Sequence, residues 1–261
     1  MDIIKSKDNK IIKYISKLIS NTKFRREEKR FVIEGVRLCE EALKNGCEID
    51  YCVYSVTAIE KYSEIVKQLQ LISKHTLCVE NRIFCALSDT KTPQGVLCVV
   101  KTLDKSTHFD KIKKNGIILA LDNIQDPSNL GTTLRTADAL GISGVVLSSD
   151  CCDIYSPKVV RGSMGAIFRI PFIITDSLVD FISDFNSVGT SFACVLDKEA
   201  VTINQAKFTK PVLSVIGNEG NGVSKCVIDA CSQKLYIPMK NNAESLNAAV
   251  AASIIMWEMI K

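Results

Sequence analysis

Three stretches in the second half of the chain place polar side chains of catalytic type directly after an apolar run. The first contains Asn129 and Arg135, the second contains Glu219, and the third contains Ser245 and Asn247. A guanidinium stabilises negative charge, and amides, hydroxyls and a carboxylate orient a substrate through hydrogen bonds. Because each stretch begins where a strand is predicted to end, the three are the candidates for a functional site.

The first stretch combines a turn signal with a cation inside a predicted helix. Residues 126–127 are Asp-Pro, and Ser128 or Asn129 is predicted to cap the helix that follows. Arg135 then falls among Leu, Ala and Thr, where a fixed cation is costly to bury unless an anion lies nearby. A bound phosphate would supply that anion, and an ion pair with Asp138 is the alternative.

The second stretch is rich in glycine. Residues 217–222 read Gly-Asn-Glu-Gly-Asn-Gly, so three glycines surround Glu219. Glycine lets the backbone approach a ligand closely, whereas a plain turn rarely needs so many glycines. The stretch lacks the Gly-Lys-Ser/Thr of a phosphate-binding loop, and its glycine spacing differs from the dinucleotide fingerprint. The pattern therefore disfavours a standard nucleotide-binding site.

The third stretch, residues 237–247, leads into the last predicted helix. Apolar and small residues recur there at helical spacing and predict a buried stripe. The stripe comprises Leu246, Ala249, Val250, Ser253, Ile254 and Trp257. Ser245 and Asn247 flank Leu246, the first residue of the stripe, and so lie at the N-terminal end of this helix.

The elements that must position these residues form two α/β patterns. Between residues 9 and 103, short apolar runs alternate with helical segments and predict a small α/β domain with strands at 31–33, 51–54, 76–79 and 95–100. After residue 116, continuous apolar strands alternate with helix-length segments, which is typical of a mostly parallel sheet covered on both faces. These strands are predicted at 117–121, 145–147, 172–174, 192–196, 212–216 and 235–237. In such sheets ligands bind beyond the carboxyl ends of the strands.

The stretch between the two patterns is polar and charged and has no sustained period. It predicts a linker at 105–115 between a first domain at 1–104 and a second at 116–261.

Composition excludes several classes of protein. The 261 residues are 46% hydrophobic and 24% charged, with a net charge of +4, as in a folded globular protein. No apolar run is long enough to span a bilayer, and the charged first residues do not resemble a signal peptide, so we expect a cytoplasmic protein. The eleven cysteines are odd in number and lie mostly in apolar strings, which favours reduced thiols. The histidines, His75 and His108, are far apart in sequence, and we expect no metal.

Positive charge is concentrated at the start of the chain. Residues 1–30 contain ten Lys or Arg and four Asp or Glu. The basic residues most concentrated there are Lys13, Lys17, Lys23, Arg25, Arg26, Lys29 and Arg30. On one surface they would neutralise the phosphates of a nucleic acid; the alternative is an ordinary solvated helix face.

Taken together, the three stretches resemble the three ordered motifs of the SpoU/TrmH group of SPOUT methyltransferases. The resemblance covers about residues 115–261 and includes residues 161–171, Arg-Gly-Ser-Met-Gly-Ala-Ile-Phe-Arg-Ile-Pro, which resemble the segment between the family's first and second motifs. Residues 26–43 resemble its N-terminal substrate-binding domain, a ribosomal-protein-like α/β fold that binds RNA.

The resemblance implies an α/β-knot catalytic domain with a deep trefoil knot, an exception to the rule against knots. It implies S-adenosylmethionine as the cofactor, held by backbone groups at Gly217, Ile237 and Leu246, and a homodimer formed through the catalytic domain. RNA is the implied partner, and the large N-terminal domain favours ribosomal RNA. The RNA-binding residues it implies are Lys23, Arg25, Arg26, Arg30, Arg37 and Arg161.

The implied reaction is methylation of a ribose 2′-hydroxyl in structured RNA, of the 23S ribosomal type. The family assigns activation of the hydroxyl to Arg135, supported by Asn129, Glu219, Ser245 and Asn247. A guanidinium has a pKa above about 12, so we favour electrostatic stabilisation over a literal base. The alternatives are a tRNA ribose, a base nitrogen, or a non-catalytic RNA-binding or ribosome-assembly protein with the same fold.

Overall fold

The structure, a computed structural model, describes residues 3–240 and 245–261. Its contacts divide the chain into two units. The first comprises Met1–Leu103 and Tyr155–Phe168, and the second comprises Asp104–Ile154 and Arg169–Lys261.

The first unit is built on a mixed five-stranded sheet in the order β1-β4-β3-β5-β2. Strands β1, β4 and β3 run parallel, and β5 runs antiparallel to both β3 and β2. Its elements up to residue 103 are β1 (Ile3–Ile4), α1 (Lys10–Ser20), α2 (Thr22–Glu28), β2 (Arg30–Glu34), α3 (Val36–Lys44), β3 (Ile49–Ser55), α4 (Val56–Lys61), α5 (Ser63–Ile72), β4 (His75–Val79), α6 (Asn81–Leu87) and β5 (Val96–Lys101). The small α/β fold predicted for this part of the chain is confirmed.

Helix α1 shows how the sequence determines one of these elements. The side chain of Asn9 caps the helix by accepting hydrogen bonds from the backbone N–H groups of residues 11 and 12. Ile12, Ile15 and Leu18 are buried against the sheet, while the lysines lie on the other faces.

The second unit is built on a seven-stranded sheet in the order β10-β12-β9-β11-β6-β7-β8, in which all the described pairings are parallel. Of the elements after residue 103, α9 (Pro157–Gly162) and most of α10 (Ala166–Arg169) belong to the first unit. The others are a 3-10 turn (Ser106–His108), α7 (Phe109–Asn115), β6 (Ile117–Leu121), α8 (Pro127–Ala139), β7 (Gly144–Ser148), β8 (Phe172–Thr175), α11 (Leu178–Phe185), β9 (Thr190–Cys194), β10 (Val201–Thr202), β11 (Val212–Ile216), α12 (Lys225–Ala230), β12 (Gln233–Tyr236) and α13 (Ala248–Met259). Strands β6, β7 and β11 are buried along their whole length, as expected for a sheet covered on both faces. The predicted parallel sheet is confirmed.

The segment predicted as a linker is helical and packed. Phe109, in α7, is buried in the same apolar cluster as Ile118 and Val146. Its ring occupies the space beside Gly144, where a Cβ atom would lie 2.8 Å from the ring. The prediction for 105–115 was therefore wrong in character, because one buried aromatic residue holds an otherwise polar segment against the sheet. The two-residue strands β1 and β10 were also missed, since so short a run carries no period.

The buried face of α13 also differs from the predicted stripe. Val250 is 47% exposed, Trp257 is 53% exposed, and Leu246 precedes the helix and is partly exposed. The face that packs on α8 and β11 consists of Ala248, Ala249, Ala252, Ile255, Met256 and Met259. Nearly every residue of this helix is small or apolar, so helical spacing alone did not single out one face.

No helix within residues 3–240 and 245–261 has the length and apolar character needed to cross a bilayer. The trefoil knot implied by the resemblance stays a prediction, because the connection from β12 to α13 includes residues 241–244, which lie outside the described residues.

Candidate active site

The first and second motifs emerge side by side because β6 and β11 are neighbours in the sheet. Leu121 and Ile216, the last residues of these strands, are paired in register. Beyond them, the Asp122 backbone N–H donates to the Ile216 carbonyl at 2.8 Å, and the Asn218 side-chain amide donates to the Asn123 carbonyl at 2.8 Å. The two loops are therefore joined at their bases.

The glycine-rich stretch forms a tight hairpin whose close backbone contacts explain its composition. Asn218 and Gly222 exchange both backbone hydrogen bonds, at 3.0 and 2.9 Å. The Asn218 side-chain oxygen accepts from the backbone N–H groups of residues 220 and 221. A Cβ atom on Gly217 would lie 2.0 Å from the Val223 nitrogen, so only glycine fits there. Gly222 has a φ of 69°, in the left-handed region that favours glycine.

Glu219 projects from this hairpin and holds the first motif in place. One carboxylate oxygen accepts from the Asp126 backbone N–H at 3.0 Å and from the Asn129 side-chain amide at 2.9 Å. The other oxygen accepts from the Gln125 backbone N–H at 3.1 Å. Partial burial acts to raise the pKa of Glu219, but the hydrogen bonds from Asn129 and from the backbone outweigh it and hold the pKa below its ordinary value. Glu219 is therefore ionised at neutral pH.

The third motif joins this network through Asn247. Its side-chain amide donates to the Asn129 side-chain oxygen at 2.9 Å. Its own oxygen caps α13 by accepting from the backbone N–H groups of Ala249 and Val250, at 2.9 and 3.2 Å. Because the carboxylate of Glu219 accepts only, the orientation of both amides is fixed. Each amide keeps a second N–H that forms no hydrogen bond within the described residues.

Helix α8 begins earlier than predicted, and this releases Asn129 for the network. The cap is Asp126, whose carboxylate accepts from the Ser128 backbone N–H at 2.7 Å, and Pro127 occupies the first turn. Neither Ser128 nor Asn129 is the cap, and that prediction was wrong. Asn129 is instead a buried residue of the first turn, with its side chain directed to Glu219 and Asn247.

Arg135 lies farther along α8 and is exposed, so the premise that it is buried was wrong. Within the part of the chain that the structure describes, its guanidinium forms no ion pair or hydrogen bond. The alternative pairing with Asp138 was also wrong, because Asp138 accepts from the Arg169 guanidinium at 2.7 and 3.0 Å. The guanidinium of Arg135 is thus exposed and unpaired among the described residues.

A cavity of about 410 Å³ lies beside the glycine-rich hairpin, within the second unit. It contains all the residues predicted to bind a cofactor, Gly217, Ile237 and Leu246, together with Glu219 and Ser245. Its volume is in the range of roughly 300–1,000 Å³ that is typical of small-molecule sites. Apolar side chains from β11, α12 and α13 form much of the wall, and backbone groups of the hairpin supply polar contacts. Arg135, Asn129 and Asn247 do not line this cavity.

Some positioning residues were missed by sequence reasoning. Asp122 is buried, and its carboxylate accepts from the Ser224 backbone N–H at 2.8 Å, which fixes the end of the hairpin. Ser148, the last residue of β7, and Cys151, which follows this strand, accept from the backbone N–H groups of Asn123 and Ile124, respectively. The position of Asp122 directly after a strand was a usable signal, whereas nothing in the sequence links residues 148 and 151 to the first motif.

The basic residues predicted to bind RNA fall into different environments. Arg25 is 4% exposed and donates to the Leu18 and Ile19 carbonyls at 2.6 and 2.9 Å. It stabilises the junction of α1 and α2, so its assignment to RNA was wrong, because burial and backbone acceptors occupy the guanidinium. Arg30 is paired with Asp50, and Arg161 contacts Asp89 at 2.7 Å.

The remaining predicted residues are exposed. Lys23 has a long contact with Glu27, at 3.9 Å, and Arg26 and Arg37 lie on the surface of the first unit. Among the described residues, no cluster of histidine, cysteine and carboxylate side chains has the arrangement of a metal site.

Comparison with protein families gives two matches. Residues 116–257 match the SpoU rRNA Methylase family, and residues 9–98 match the MRM3-like substrate binding domain.

Individual relatives match over nearly the whole chain. The 23S rRNA (guanosine(2553)-2′-O)-methyltransferase RlmP of Bacillus subtilis is 31% identical over 99% of this chain and 99% of its own length. The 23S rRNA (uridine(2479)-2′-O)-methyltransferase of Streptomyces viridochromogenes is 27% identical over 94% of this chain and 87% of its own length. The crystal structure of an AdoMet-bound rRNA methyltransferase from Sinorhizobium meliloti superposes with a TM-score of 0.86 at 29% identity, covering 99% of this chain and 97% of that one. The chain, with its three motifs joined by Glu219, Asn129 and Asn247, belongs to the SpoU rRNA Methylase family.

Proposed function

We propose that the protein transfers a methyl group from S-adenosylmethionine to a ribose 2′-hydroxyl in structured RNA, with ribosomal RNA as the substrate. The observation that carries this proposal is the hydrogen-bonded chain Glu219–Asn129–Asn247, which joins all three family motifs beside a cavity of about 410 Å³. Relatives named as 23S rRNA 2′-O-methyltransferases support the same substrate class.

The cavity fits the proposed cofactor. Its apolar walls suit the adenosine and the methionine stem, and its backbone groups at Gly217, Ile237 and Leu246 suit the polar edges. When bound, S-adenosylmethionine supplies an electrophilic methyl group on a positively charged sulfur. The ionised carboxylate of Glu219, which also lines the cavity, adds negative charge on that side.

We assign the chemistry on the RNA side to Arg135 and the two amides. The exposed guanidinium binds a substrate phosphate and stabilises negative charge on the 2′-oxygen while the hydroxyl releases its proton to solvent. The remaining N–H groups of Asn129 and Asn247 hold the ribose, and Ser245 supplies a hydroxyl at the cavity wall. Glu219 is a positioning residue, because internal donors occupy both of its oxygens.

We further propose a role for each domain and a dimeric assembly. Residues 1–104 form the RNA substrate-binding domain, with Lys23, Arg26 and Arg37 as exposed cations, and residues 116–261 form the catalytic domain. The protein acts in the cytoplasm as a homodimer. The exposed apolar side chains of Val250 and Trp257 on α13 support dimerisation, because a partner would cover them.

The test is transfer of radiolabelled methyl from S-adenosylmethionine to bacterial RNA, followed by nuclease mapping of the label. We expect alkali-resistant label in 23S RNA. Arg135→Ala should lower turnover about a hundredfold or more, while cofactor affinity changes little. Lys114→Ala, which removes an exposed charge from α7, is the matched control. Label in tRNA would show that tRNA and not ribosomal RNA is the substrate. RNA binding without methyl transfer would contradict the proposal.

A further inference from the structure

A groove on the first unit is lined by none of the side chains to which the proposed function gives a role. It runs between α1 and α6 and has a volume of about 310 Å³. Its floor is apolar, because it is formed by the buried side chains of Ile12, Ile83 and Leu87. This volume is at the low end of the roughly 300–1,000 Å³ of small-molecule sites, so the groove fits one flat group of modest size.

The rim of the groove is cationic. Lys7, Lys13 and Lys17 line it, and its described lining includes no carboxylate. Helix α1 contains no acidic residue at all. Ser16 and Ser20 also line the groove, and the Ser20 hydroxyl donates to the Ser16 carbonyl at 3.0 Å. A ligand that suits this lining is therefore anionic at its edge and apolar over its face.

The lysines are available to such a ligand. The Lys17 ammonium lies 4.0 Å from the centroid of the Phe24 ring, which positions the charge without neutralising it. Lys13 contacts Asp8 at 2.7 Å, but both side chains are exposed, so a phosphate competes readily with this pair. Lys7 forms no ion pair within the described part of the chain.

We infer that this groove binds one unpaired nucleotide of the RNA substrate, with its base on the apolar floor and the flanking phosphates at the lysine rim. The inference rests on the proposed function for the identity of the ligand. Proteins read RNA largely through unstacked bases held against apolar or aromatic side chains. A duplex keeps its bases stacked inside and would leave the floor of the groove in water.

The test measures binding of the full chain to a short fluorescent single-stranded RNA and to the same RNA as a duplex. Lys17→Gln removes a rim charge, and Ala86→Leu narrows the groove without changing charge. We expect each to weaken single-strand binding about tenfold. Of these two variants, only Lys17→Gln should also weaken binding to the duplex. Lys10→Gln removes the same charge from α1 outside the groove and should change single-strand affinity less than about twofold.

The other outcomes overturn the inference in identifiable ways. If Lys10→Gln weakens binding as much as Lys17→Gln, the lysines act only as a diffuse basic patch. If Ala86→Leu has no effect, or affects the duplex equally, the apolar floor does not bind a base. Methyl transfer by the unaltered protein is measured in parallel. If the unaltered protein transfers methyl groups but the groove variants bind RNA normally, only the inference about the groove is refuted. If the unaltered protein transfers none, the proposed function is refuted.

Discussion

Glu219 accepts three hydrogen bonds from the first motif, and this makes the charge of one carboxylate important for the arrangement of the site. Glu219→Gln keeps the size of the side chain but places an N–H donor among the donors of Gln125, Asp126 and Asn129. Because the site is partly exposed, we expect a loss of only about 1 kcal/mol in the free energy of unfolding at neutral pH. Activity should fall more, since the first motif is no longer held in place.

The pH dependence of this loss follows from the lowered pKa of Glu219 in the folded protein. The unfolded carboxyl has an ordinary pKa of 4.5, so the charge stabilises the fold above that pH, and the stabilisation disappears as the pH falls through the lower folded value. Urea unfolding at several pH values should show the free energies of unfolding of the unaltered protein and Glu219→Gln converging below pH 4.5. Glu199→Gln, at an exposed position, is the control. A difference that persists in acid would contradict an electrostatic origin.

Asn247 has two separable roles, and Asn247→Asp distinguishes them. Aspartate caps a helix as well as asparagine, so α13 should keep its stability to within about 1 kcal/mol. Aspartate cannot donate to the Asn129 oxygen, however, and its charge repels that oxygen. We expect methyl transfer to fall about a hundredfold with a nearly unchanged melting temperature. If stability and activity fall together, the loss of activity comes from the helix cap and not from the hydrogen bond to Asn129.

The residue types at the site were predictable from the sequence, but their bonding was not. Asn129, Glu219 and Asn247 could be selected because each follows an apolar strand or begins a helix. Their hydrogen bonds depend on strand order, which places β11 beside β6 and so brings the second motif to the first. The assignment of Arg25 to RNA failed for a different reason, since the acceptors that occupy its guanidinium are carbonyl groups at the end of the preceding helix, six and seven residues earlier, and the turn between α1 and α2 that exposes them was not predicted.

Among the elements, the glycine-rich hairpin permits a comparison of two glycines in one loop. A Cβ atom at Gly217 would lie 2.0 Å from backbone, whereas at Gly220 the nearest atom would be 3.6 Å away, in the Asn218 side chain. Gly217→Ala should therefore destabilise the protein by about 1–3 kcal/mol and abolish cofactor binding, because the backbone must shift. Gly220→Ala should change stability by less than about 0.5 kcal/mol. Thermal unfolding with and without S-adenosylmethionine measures stability and cofactor binding. Equal effects of the two substitutions would refute the steric argument.

Elements with a single clear period were the predictable ones. Strands β6 and β11 are continuous apolar runs, and their predicted ends are the observed ones. Helix α13 was found as a helix, but its alanines and large apolar residues are spread around the axis, so its buried face depended on which neighbour it packs against. Helix α7 was missed because its one decisive contact, the burial of Phe109, is tertiary.

At the scale of the whole molecule, the exposed face of α13 predicts the state of association. Trp257→Glu should convert a dimer into a monomer without unfolding it, because the indole is already 53% exposed in the single chain. Light scattering after gel filtration gives the mass. Leu71→Glu, at a residue of α5 that is 86% exposed, introduces the same change in the first unit and should leave the mass unaltered. A monomeric unaltered protein would contradict the proposed homodimer.

The site network joins positions that are very distant along the chain. Asn129 and Glu219 are 90 residues apart, and Asn129 and Asn247 are 118 apart. Loop closure over such separations is slow, and Asn247 is the last of the three side chains to be synthesised. The network is therefore incomplete until α13 has been made and packed. A ligand that needs all three side chains would bind only molecules that have completed this folding, and by mass action it would protect them from proteolysis.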